Sequence, residues 1–226
     1  MEQFLRVTEV IDWTHPAVIS KARELSKSAT AMHEIVRSCF EWVRDSIQHS
    51  ADFQRNPVTC SASEVLACGT GYCFAKSHLL AALLRANGIP AGFCYQRLSI
   101  NETGAPYSLH GFNAVHLSEF GWYRLDSRGN KPGINAQFSP PVEQLAFQLS
   151  FPEERNFPEV LPDPLPVVVR ALRTYSAWDT LYKNLPDWDL PSLPGSAASL
   201  LDNASQREIG LSGVEPSHAS GQESIL

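Results

Sequence analysis

An α+β domain is what the sequence predicts. Up to Gly88 the apolar residues recur at helical spacing; from Ala91 to Asp126 they fall in short runs that carry aromatic residues and are separated by turn residues. Helices first and antiparallel strands afterwards is the signature of that class. The 226 residues suffice for one substantial core and leave little room for a second.

Each element has a local reason. Pro16 suits the first turn of a helix whose apolar stripe is Val18, Ile19, Ala22 and Leu25. From about Thr30 to His49 a stronger helix repeats Ile35, Cys39, Val43 and Ile47 every four residues, with Glu34, Arg37, Glu41 and Arg44 left for water. Ser61 with Glu64 is a capping box and predicts a short helix through Ala67. Gly69 and Gly71 break the chain. From Gly71 the run YCFAKSHLLAALLRANG is apolar on most faces and stops at Gly88 and Pro90, which describes a buried central helix with Cys73 in its first turn. Strands are predicted at Ala91–Leu98, His110–Leu117 and Trp122–Asp126, with Asn101–Ser108 as a loop. Residues 129–141 read as loop with a short strand, and Pro166–Leu185 as one amphipathic helix. The domain is expected to span 1–190. Residues 191–226 turn to Ser, Gly and isolated acids and are expected to form a disordered polar tail.

Composition excludes several functions. A formal charge of −6 with no basic cluster argues against a nucleic-acid partner. The start of the chain, with Glu2, Glu9 and Asp12, lacks a signal-peptide pattern, and no apolar run has membrane-spanning length, so a cytoplasmic protein without a membrane partner is expected. Five cysteines are an odd number, expected as thiols in a reducing compartment. Cys68 and Cys73 form C-x4-C without a second ligand pair, and neither a phosphate loop nor an EF-hand loop is present, so neither metal nor cofactor is expected.

Cys73 is the residue whose position suggests chemistry. At a helix N-terminus, unpaired N–H groups and the macrodipole stabilise a thiolate, and the same groups can hold an oxyanion. A buried cysteine is more often simply core. What changes the balance is a base with an orienting acid further along. His110 and Asp126 lie an even 16 residues apart on two strands of an expected hairpin. A turn centred on Ser118 sets them directly opposite each other, pairing 112 with 124 and 114 with 122. The rival base is His116, which a turn centred on Gly121 would oppose to Asp126 at the expense of placing Trp122 at the turn tip. His78, five residues after Cys73 on the same helix, points about 140° away from it and reads as structural or solvent-facing. Gln54 is a weak candidate for a second oxyanion donor, and Arg128 a candidate for a substrate carboxylate or merely for solvating its loop.

The stretch SASEVLACGTGYCFAKSHLLAALLRANGIPAGF, followed by HGFNAVHLSEFGWYRLD, resembles the transglutaminase-like superfamily over Ser61 to Asp126: G-x-C opening a helix that ends R-x-x-G-I-P-A, then a histidine strand, a Trp and L-D. The resemblance implies a papain-like α+β fold, with Cys73 as nucleophile, His110 as base and Asp126 as its orienter. It implies a cysteine hydrolase or acyltransferase acting on a peptide, protein or small amide or thioester. Phe112 and Ala114 stand where many relatives carry Trp and Glu. The chain is too short for the extra β-domains of the large animal enzymes, so their calcium dependence does not transfer. The superfamily also includes members without catalysis, which leaves an interaction module as the alternative.

Overall fold

The computed structural model describes residues 1–101 and 103–187; the expected tail from 191 lies outside the described residues. After a 3-10 turn at Glu2–Leu5 come α1 (Pro16–Ser26), α2 (Met32–Ser46), β1 (Gln48–His49), α3 (Ala62–Cys68), β2 (Thr70–Gly71) and α4 (Cys73–Ala86). The strands β3 (Ala91–Ser99), β4 (Tyr107–Leu117) and β5 (Gly121–Leu125) follow, then β6 (Gln137–Ser139), β7 (Val142–Gln144), β8 (Arg155–Asn156), α5 (Pro166–Thr174) and α6 (Trp178–Tyr182). The main sheet has the order β5-β4-β3-β8, antiparallel throughout. The α+β expectation holds.

α4 is the pillar of the core. From Cys73 to Arg85 every residue is buried, which is why its sequence is apolar all round instead of striped. It packs between α1, α2 and α3 on one side and β3 and β4 on the other. Its few polar side chains are matched by partners. Asn113 of β4 donates to Ser77 O (3.0 Å) and Gly92 O (3.2 Å), tying helix to sheet. Arg85 donates to Ala91 O and Arg6 O, and Lys76 to Arg44 O and Ile47 O. Lys76 thereby satisfies carbonyls at the C-terminal end of α2, which a helix end otherwise leaves bare. The helix ends at Gly88, whose φ of +72° is left-handed, with Ile89 N–H reaching back to Leu84 O (3.0 Å). The Ser61–Glu64 capping box of α3 forms as expected.

Three expectations need correction. The β4–β5 ladder pairs Asn113 with Leu125, Val115 with Tyr123 and Leu117 with Gly121, so the turn centres on Glu119 instead of Ser118. The register is two residues from the one expected. An even slip keeps every side chain on its expected face, and Asp126 becomes the diagonal neighbour of His110 instead of its opposite. Second, β4 starts at Tyr107 and not at His110, because its first residues pair with Arg97, Leu98 and Ser99. Third, the helix expected over 166–185 is two helices. At the break, Val58 N–H bonds Ser176 O (3.0 Å) and Trp178 N–H bonds Asn56 Oδ1 (2.8 Å), so long-range partners take the groups that a continuous helix would use itself.

Candidate active site

The site forms where the start of α4 meets the edge of β4. β5 covers β4 only from Asn113 to Leu117, so the stretch holding His110 extends past it. Gly111 permits the approach: a Cβ there would sit 2.7 Å from Cδ1 of Phe74, the residue after Cys73. Two short parallel strands place the other side. β1 pairs with β2, His49 with Gly71, and Ser50 N–H donates to Gly71 O (3.1 Å), fixing the backbone two residues before the cysteine.

His110 and Asp126 are both buried, and His110 Nε2 lies 2.7 Å from Asp126 Oδ2. Cys73 adjoins the same imidazole closely enough to raise its pKa; with Nε2 on the carboxylate, Nδ1 is the nitrogen left for sulfur. Asp126 is satisfied from three directions, since Arg128 N–H donates to Oδ1 (3.1 Å) and Ala146 N–H to Oδ2 (3.1 Å). Burial pushes the Asp126 pKa up, but the charge and hydrogen bond of His110, helped by the two N–H groups, outweigh it and hold the carboxyl below its ordinary range. For His110 burial pushes the pKa down, and the charges and hydrogen bonds of Asp126 and Cys73 reverse this, so its pKa is raised. The imidazolium is thus the favoured form. Phe147 packs edge-on against the ring (4.9 Å between centroids) and Phe112 stacks beside it (5.9 Å).

All three residues singled out from the sequence therefore meet. The rivals do not join them. His116 opposes Trp122 across the ladder and packs against its ring at 5.4 Å. His78 is buried in the core with Nδ1 2.8 Å from Cys60 O, the structural of its two readings. Gln54 is exposed, with φ +51°. Arg128 is engaged: its guanidinium makes two hydrogen bonds to Asp52 (2.6 and 3.1 Å).

Several neighbours escaped sequence reasoning. Lys76 lies one turn after Cys73 with its ammonium buried, and burial, with Arg128 nearby, lowers its pKa to about 7. His49 packs edge-on against Tyr72 at 5.4 Å, and its Nδ1 is buried without a hydrogen-bond partner. Ala146 contributes only a backbone N–H, which no side-chain pattern could reveal. A lysine inside an apolar run was the one signal available.

Residues 19–127 match the family model of the transglutaminase-like superfamily. That stretch of the chain belongs to the superfamily. Among solved structures, it is similar to a Cytophaga hutchinsonii protein provisionally assigned as a cysteine protease, with 18% identity and a TM-score of 0.46 over 55% of this chain and 40% of that one. The periplasmic domain of TgpA from Pseudomonas aeruginosa gives 22% identity and a TM-score of 0.41, over 55% and 46% of the two chains. A structure named as a TGase gives 15% and 0.38, over 61% and 37%. This chain thus spans under half the length of each of these three. No curated protein matches it. Among the described residues, no helix is long and apolar enough to cross a membrane, and no group of three or more His, Cys, Asp or Glu is placed to hold a metal ion.

Proposed function

We propose that this transglutaminase-like protein is a cytoplasmic thiol enzyme in which Cys73 attacks an amide or thioester carbonyl, His110 moves the proton and Asp126 orients His110. The observation that carries the reading is a buried imidazole bonded to a buried carboxylate, with the Cys73 side chain adjoining its ring. His110 takes the thiol proton as the sulfur attacks. Sulfur adds to the carbonyl carbon and the carbonyl oxygen takes the negative charge. Among the described residues no side chain caps α4, so the first-turn N–H groups are free to receive that oxyanion. As the tetrahedral adduct collapses, the C–N or C–S bond breaks and His110 gives its proton to the departing amine or thiol, leaving a thioester on Cys73. Water or an amine then attacks, His110 takes its proton, and the acyl–sulfur bond breaks to regenerate the thiol.

Hydrolysis and transfer share every step but the last. Intact-mass detection across a panel of amide and thioester donors, with and without a primary amine, separates them. Wild-type protein is expected to gain one acyl group, and Cys73→Ala none while remaining folded. Amine incorporation selects transfer; release of acid alone selects hydrolysis. A panel that leaves the wild-type mass unchanged favours the interaction module instead.

A further inference from the structure

Beside the proposed machinery lies a second carboxylate that it does not use. Asp52, in the loop after β1, accepts from Arg128 Nη1 at Oδ2 (2.6 Å) and from Arg128 Nη2 and Lys131 Nζ at Oδ1 (3.1 and 2.6 Å). Its side chain is 20% exposed and that of Arg128 10%. The buried, unpartnered Nδ1 of His49 is 3.6 Å from Oδ2. Burial works against the charge of Asp52, but Arg128 and Lys131 prevail and hold its carboxyl well below the ordinary range.

Arg128 is gripped at both ends. Its backbone N–H rests on Asp126 Oδ1, its guanidinium is forked onto Asp52, and the guanidinium carbon lies 5.5 Å from the centroid of Phe147, the ring packed on His110. Since both arms of the fork are used within the chain, Arg128 does not offer the planar pair of donors that a substrate carboxylate would need. An exposed ion pair contributes little. This one is mostly sheltered and joins loops 76 residues apart, one leading away from His49 and the other directly following Asp126.

We propose that Asp52 is a positioning residue: by holding the Arg128 side chain it keeps the Arg128 N–H on Asp126 and the Phe147 ring against His110, and so maintains the Cys73–His110 pair. The proposal rests on the thiol-enzyme reading. The charged and titratable groups around it are Arg128, Lys131 and His49 at Asp52, Lys76 from α4, and His110 and Cys73 across the site.

The test is the pH dependence of Cys73 alkylation by iodoacetamide in the intact, folded chain, followed by mass, which needs no substrate. Asp52→Asn keeps the shape and removes the charge. Small misplacements at such sites cost up to about a hundredfold; here alkylation at pH 7 is expected to slow about tenfold, with its rise moved to higher pH, and Asp52→Glu to recover most of the rate. Arg128→Lys, which keeps charge and backbone N–H but loses the fork, is expected to do the same and serves if Asp52→Asn fails to fold. A merely structural Asp52 would lower the melting temperature and leave the alkylation profile in place. That result would overturn the proposal, as would a shift to lower pH, the effect of an unneutralised guanidinium acting through charge alone. Wild-type Cys73 reacting no faster than a denatured-chain thiol would instead remove the thiol-enzyme reading itself.

Discussion

Two histidines touch the same helix and meet opposite fates. His78, in the body of α4, is buried against Phe93 with a neutral carbonyl as its hydrogen-bond partner, and burial lowers its pKa to about 4. His110, where the helix begins, is also buried, yet its pKa is raised because a carboxylate bonds its ring and the Cys73 side chain adjoins it. The cysteines divide similarly by surroundings: Cys39 and Cys94, in apolar core, are pushed up to about 12 by burial, while Cys73 lies against an imidazole. Burial alone silences an ionisable group, and a charged partner within hydrogen-bond reach restores it.

The largest effect that can break this contrast is in stability against pH. Below its unfolded value of about 6.5 the unfolded chain protonates His78, while the folded chain resists until about pH 4. Stability should therefore fall as pH drops through that window, by on the order of 3 kcal/mol from this group. Urea unfolding at pH 7 and 4.5 measures it, and His78→Leu should flatten the slope by one proton. His110 has the opposite sign: its raised pKa gives stability that is complete below about 6.5 and is lost as pH rises through the folded value. A smaller effect sharpens the contrast in packing. If the seam beside His110 is as tight as the core, Gly111→Ala, whose methyl would meet the buried Phe74 ring at 2.7 Å, should destabilise by about 1 to 3 kcal/mol in the same assay.

What the sequence made legible follows from what its signals measure. Apolar periodicity and the glycine stop located α4, and an even spacing placed His110 and Asp126 on one face, because period 2 is a property of any strand. The register itself was misjudged by two residues, since nothing in SEFG distinguishes a turn at Ser118 from one at Glu119. The split between α5 and α6 was hidden because its cause lies at Asn56 and Val58, more than a hundred residues earlier. Asp52 and Ala146 were hidden for the same reason, and Arg128 was legible only as a residue near Asp126 and not as the partner of Asp52. These contacts run through loops, and loop contacts leave no period in a sequence. Helical geometry alone turns His78 away from Cys73, but that angle does not separate a core position from a solvent-facing one, and the structure places it in the core.

The central claim is that the start of α4 makes one thiol of this chain chemically different from the others. Brief iodoacetamide treatment of the native protein at pH 7, with each cysteine mapped by mass, tests it most directly. Cys73 should be modified first, and faster than the thiols of the urea-denatured chain, while Cys39 and Cys94 stay unmodified. Cys73 reacting no faster than it does in urea would contradict the account.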